Sequence, residues 1–185
     1  MAAARGRLAR AVAEEIVRVA EAAAGAAGLS RGDLSFTVWK FLTLAGRGRL
    51  QWPKPSGVEA AVVDRRASKT VALVGVPGVP HGDRFLELVA RNMARMGVES
   101  SAYTGLPPLP GVPTDAPKYE WEALPESAVE PAGRAAAAAS ERLSHLRGHF
   151  TEVKVRFLVP GALIIIRGGL DGASVCRKPA TRVLW

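Results

Sequence analysis

Between Arg7 and Ala23 the apolar residues Leu8, Val12, Ile16, Val19 and Ala23 recur at steps of three and four, the stripe of an amphipathic helix. Arg10 with Glu14, and Glu14 with Arg18, form i,i+4 pairs on its other side. Gly25 and Gly28 then loosen the chain. Ser30 and Asp33 have capping-box spacing, flanked by Leu29 and Leu34 as a hydrophobic staple. From there Leu34, Val38, Phe41, Leu42 and Ala45 predict a second helix, closed by Gly46. Val58 to Asp64 and Thr70 to Val76 predict a hairpin joined by Arg65, Arg66, Ala67, Ser68 and Lys69. A breaker-rich loop from Gly75 to Asp83 leads into a third helix, with Phe85, Leu88, Val89, Met93 and Met96 on one side and Gly97 past its end.

Seven prolines lie between Leu106 and Pro131, where Asp115, Glu120, Glu122, Glu126 and Glu130 oppose only Lys118. This composition predicts an acidic connector, with Tyr119 and Trp121 as anchors to the body or to a partner. Ala135 to Ala139 run into Leu143 and Leu146, a helix ending at Gly148. Beyond it Val153, Val155, Phe157 and Val159 alternate with Glu152, Lys154, Arg156 and Leu158, the pattern of a half-buried strand. Ala162 to Ile166, Ser174 to Arg177 and Arg182 to Trp185 predict further strands around turns at Pro160 and Asp171. The expected fold is α+β, with α/β as the alternative. It divides into residues 1–105 with helices, hairpin and helix, a connector at 106–133, and a helix with a small antiparallel basic sheet at 134–185, which also suit packing as one domain.

Composition narrows the class. The chain has 185 residues, 48% of them hydrophobic, enough for one core. No apolar run approaches the ~20 residues that cross a bilayer, so no membrane partner is expected. The single cysteine, Cys176, permits no intrachain disulfide and points to a reducing cytoplasm. Arg5, Arg7 and Arg10 stand in an acid-free start that invites a transit-peptide reading, but serine is absent there and Glu14 and Glu15 continue the helical pattern. Asn92 and Gln51 are the only side-chain amides, a scarcity that suits a thermophile.

Charge then supplies the functional lead. Of the net +8, +5 lies in residues 141–185. Arg65, Arg66 and Lys69 on the hairpin, with Lys154, Arg156, Arg167, Arg177 and Lys178 on the basic sheet, are the expected contacts to RNA or DNA, without catalysis and within a larger ribonucleoprotein assembly. The alternative is a structural or regulatory subunit docked on a protein partner through the first helix or the connector.

No cofactor, metal or catalytic signature stands beside the charge. The loop before the third helix lacks the Gly-Lys-Ser/Thr of a phosphate-binding loop, and Pro77 and Pro80 each remove a backbone donor. Gly57 to Asp64 followed by Thr70 to Val76 and a helix resembles the core hairpin of the PD-(D/E)xK nucleases. Val74, Gly75 and Val76 stand where that family has Glu-x-Lys, so the resemblance implies a copy without metal ligands on that strand. His145 and His149 have the i,i+4 spacing of zinc ligands but no third partner, and with Lys154 they make a conceivable acid–base set for RNA. Cys176 lies in a strand-like run beside Arg177 and Lys178, and with no histidine placed for it the lone cysteine reads as structural. A helix at Leu34 to Ala45 followed by the hairpin would imitate a helix-plus-wing DNA reader, with Arg47 and Arg49 joining Arg65, Arg66 and Lys69 on phosphates.

Overall fold

The alanine-rich first stripe forms α1 (Ala2–Gly25) in a computed structural model that describes residues 2–105 and 120–180. Residues 106–119 of the connector and the strand expected at Arg182 to Trp185 lie outside the described residues. The apolar face of α1 is broad, Val12, Ala13, Ile16, Val17, Val19 and Ala20 all being buried, because the helix packs between two others and on the sheet. One carboxylate is buried with them. Glu15 accepts a bidentate pair from Arg142, with both bonds at 2.7 Å, and a third bond at 2.7 Å from Arg18. That acceptor holds the Arg142 guanidinium above its ordinary pKa.

Ser30 and Asp33 do pair. The Asp33 carboxylate accepts from the Ser30 backbone at 2.7 Å and its hydroxyl at 2.9 Å, which lowers the Asp33 pKa. They close a single 3-10 turn, and the expected second helix is a strand, β1 (Leu34–Arg47). Leu34, Phe36 and Val38 alternate with Ser35, Thr37 and Trp39, and this β-branched and aromatic run fits a pleat better than a helix. β2 (Leu50–Asp64) begins eight residues before the expected strand, and β3 (Lys69–Pro77) completes the predicted hairpin. The third predicted helix is α2 (Asp83–Arg95), which carries the chain back to β4 (Glu99–Ala102), parallel to β1.

After the connector come α3 (Val129–Arg147), ended by Gly148 in the left-handed conformation at φ 68°, then β5 (Val153–Val159), β6 (Ala162–Gly169) and β7 (Gly172–Pro179). The C-terminal strands are not a separate small sheet. All strands form one α+β sheet in the order β4-β1-β2-β3-β5-β6-β7. The three helices cover one face, and Phe36, Val38, Val58, Val74, Val155 and Ile164 point into the core beneath them.

The join between the strands before the connector and those after it is short. β3 and β5 share only Leu73↔Arg156, Val74↔Val155 and Gly75↔Lys154. Where they part, the strap Glu120–Leu124 enters. Thr70 donates to the Glu120 carbonyl, Glu122 to that of Thr70, and Leu124 to that of Leu158, at 2.7, 2.9 and 2.7 Å. The strap thus satisfies backbone groups that a full ladder would have used.

α3 approaches β6 closely because Gly168 lies below it. A Cβ there would stand 2.3 Å from the Ala136 carbonyl carbon and oxygen. Buried Ser140 completes the contact, donating to Gly168 O at 2.7 Å and accepting from Val153 N at 2.9 Å. Gly168→Ala is expected to destabilise by about 2–3 kcal/mol, since backbone must move. Gly169→Ala, whose added carbon would meet the Phe150 ring at 3.4 Å, is expected to cost less than about 1 kcal/mol. Urea denaturation of the two variants checks the difference.

Candidate polyanion interface

The expected contact residues do not gather into one groove. Arg65, Arg66 and Lys69 surround the β2–β3 turn, while Lys154 lies opposite Gly75, about 20 Å up β3 from Lys69. Most of these cations are already paired. Arg65 meets Glu99 at 3.0 Å, and Arg66 meets Asp64 at 3.3 Å and Asp33 at 4.0 Å. Lys154 and Arg167 each lie 3.7 Å from Glu152, Arg156 binds Glu59, and Arg177 binds Glu126. Lys154, Arg156, Arg167 and Lys178 share the face of the sheet that carries no helix, whereas Arg177 lies on the helix side. Lys69 and Lys178 are exposed and make no ion pair among the described residues.

The helix-free face has its own small core. Glu59, only 7% exposed, accepts from Trp39 Nε1 at 3.1 Å and from Arg156. The next row holds Ala61 and Leu73 against Trp39, with Tyr103 and Trp121 packed over them. Gly75 makes room for Phe41, whose ring would sit 3.1 Å from a Cβ at that position, and Lys154 Nζ stands 5.4 Å from the centroid of the same ring. These contacts commit Arg156 to the fold. A guanidinium neutralised by a buried carboxylate has little charge left for a phosphate.

Free positive charge collects at one end of the sheet, where β1 and β3 finish. There β1 and β2 continue alone. The pairs from Leu42↔Pro55 to Arg47↔Leu50 form a two-stranded arm about 20 Å long. β3 stops opposite Gly57, and β4 pairs only with Ser35 to Val38, so among the described residues no strand flanks either side of the arm. A two-residue turn, Gly48 and Arg49, closes it. Gly48 takes φ 62°, which the first residue of such a turn adopts without cost only as glycine.

The helices bring more positive charge to this end. α2 starts there, with Asp83 held 3.1 Å from Lys40 of β1. α1 starts there too, because its other end lies beside the end of α2, where Arg31 bridges Glu21 at 2.6 Å and the Met96 carbonyl at 3.3 Å. Two helix N-termini therefore turn their positive poles the same way, and the first turn of α1 holds no acid. Arg5, Arg7, Arg47, Arg49 and Arg84 are exposed here and make no ion pair among the described residues. Sequence reasoning met Arg47 and Arg49 only as part of a helix-plus-wing reader, a reading lost with its helix. The signal that marks the arm is the absence of acid from residues 34–58, which carry four cations.

The histidine set does not converge. His145 lies 3.8 Å from Glu141 on the exposed side of α3, and Lys154 projects from the opposite face of the sheet. Among the described residues, no three of His, Cys, Asp or Glu gather as a metal site, and no helix is long and apolar enough to cross a membrane. No protein-family model, curated protein or solved structure matches this chain.

Glu59→Ala is expected to destabilise the protein by about 2–3 kcal/mol, a partly screened buried pair losing one member. The double variant Glu59→Leu with Arg156→Leu is expected to recover most of that loss, as read by urea denaturation.

Proposed function

We propose that the protein binds nucleic acid, without catalysis, through the end that carries the arm. The observation that carries this reading is the arm itself: a ribbon within an acid-free stretch that no described strand flanks, tipped by two arginines that make no ion pair among the described residues. Arg5, Arg7 and Arg84 stand beside it at helix ends whose dipoles favour anions. Arginines on a projecting ribbon neutralise phosphates and release counterions, so affinity falls steeply with salt. The sheet cations of the C-terminal quarter are secondary, because carboxylates of the chain already engage most of them.

Five free arginines give an expected slope of log K against log salt of about −4 to −5. Arg47→Ala with Arg49→Ala is expected to reduce that slope by about 2. Fluorescence anisotropy with labelled oligonucleotides from low to moderate salt measures both. No binding at low salt, or a slope that the double variant leaves unchanged, rejects the proposal.

A second reading, a subunit docked on a protein partner, is favoured by a different surface. All eight residues of β7 are exposed at the sheet edge, and Ala173 and Val175 line an open groove with Val129 and Gly133 of α3. An unprotected edge of that length invites pairing with another chain. Co-purification with and without nuclease separates the two readings. Association lost on nuclease treatment belongs to the arm end, and association that survives it and is lost in Val175→Glu belongs to the β7 edge.

A further inference from the structure

We infer that the ligand is a DNA double helix whose major groove takes the arm; this rests on the nucleic-acid reading above. A two-stranded ribbon fits the B-form major groove, about 12 Å wide and 8.5 Å deep, whereas the major groove of duplex RNA is too narrow for side chains to read. The tip sequence Gly46, Arg47, Gly48, Arg49 suits that groove. Nothing lies within 4 Å of a Cβ placed on Gly48, so the tip is open there, while the arginines carry the planar donors that bind guanine O6 and N7 in pairs.

A single strand fits less well. Its binding needs successive exposed aromatic rings on which bases stack. Trp39 and Phe41 are buried, and Phe150 is the one aromatic among the large apolar side chains exposed in the described residues, so no succession of rings is on offer. Trp52 is the only aromatic residue in the arm sequence 42–55. The helix ends complete the duplex reading. Arg84, beside the Asp83 that pairs with Lys40 of β1, stands near the base of the ribbon, and Arg5 and Arg7 lie in the first turns of α1 at the same end of the sheet, where the backbone flanking an occupied groove would pass.

The test titrates the full chain with one 20-base-pair sequence as duplex DNA, as each single strand and as duplex RNA, at one salt concentration. Duplex DNA is expected to bind at least tenfold more tightly than the others. Arg47→Ala with Arg49→Ala is expected to lose at least tenfold on duplex DNA with an unchanged melting temperature. DNA whose major groove is filled by glucosylated 5-hydroxymethylcytosine is expected to bind at least tenfold more weakly, and the minor-groove ligand distamycin is expected not to displace the protein. Equal or tighter binding of a single strand or of duplex RNA overturns the inference and leaves the nucleic-acid reading standing. Indifference to glucosylation, displacement by distamycin, or an unaffected double variant also overturns it. Failure to bind any of the nucleic acids rejects the nucleic-acid reading itself.

Discussion

A seven-stranded sheet with all three helices on one face must finish its other face without them. The covered side is an ordinary apolar core, sealed by small residues on α3 and the broad stripe of α1. Among the described residues no second layer of helices covers the other side, whose residues pack partly on one another. A carboxylate bound to an indole and a guanidinium, a phenyl ring laid over a glycine, and the rings of Tyr103 and Trp121 packed on the Trp39 cluster do there what a helix layer does opposite. Polar groups half-withdrawn from water must be satisfied by each other.

That constraint decides what the charge is for. A basic protein has cations to spare, yet Glu59, Glu126 and Glu152 take up most of those on the C-terminal strands. Within the helix layer Glu15 and Glu21 do the same for Arg18, Arg142 and Arg31. What remains unpaired among the described residues at the arm end sits beside a ribbon without acid and two helix N-termini, with the C-terminus of α3, whose Arg147 donates to the Gly78 carbonyl, at the same end. The arm end thus holds five exposed arginines without an ion pair among the described residues, whereas on the C-terminal strands Lys178 alone is left so.

Much of the architecture was legible along the chain. The stripe of α1, the β2–β3 hairpin, α2, the Gly148 stop and the alternation of β5 all follow from periodicity and punctuation. The error at Leu34 to Ala45 has a definite cause: Leu34, Val38, Phe41 and Ala45 satisfy the helical period, while Leu34, Phe36 and Val38 satisfy the strand period in the same residues. The capping box before them was real but closed only one 3-10 turn. Losing that strand concealed the arm, since a helix ending at Gly46 leaves no ribbon. The carboxylate partners were hidden for another reason. Glu59 lies 97 positions from Arg156 and Glu126 lies 51 from Arg177, pairings that only the topology creates.

The clamp between Glu15 and Arg142 joins residues 127 positions apart. During synthesis at about 5–20 residues per second, roughly 6–25 s pass between the emergence of its two halves. Throughout that interval the face of the first helix that α3 will cover has no α3 against it, and a carboxylate lies in that face. Still hydrated, that charge interrupts the stripe and makes the nascent helix a poorer partner for other unfolded chains. When α3 arrives, the same carboxylate becomes the point that registers one helix on the other.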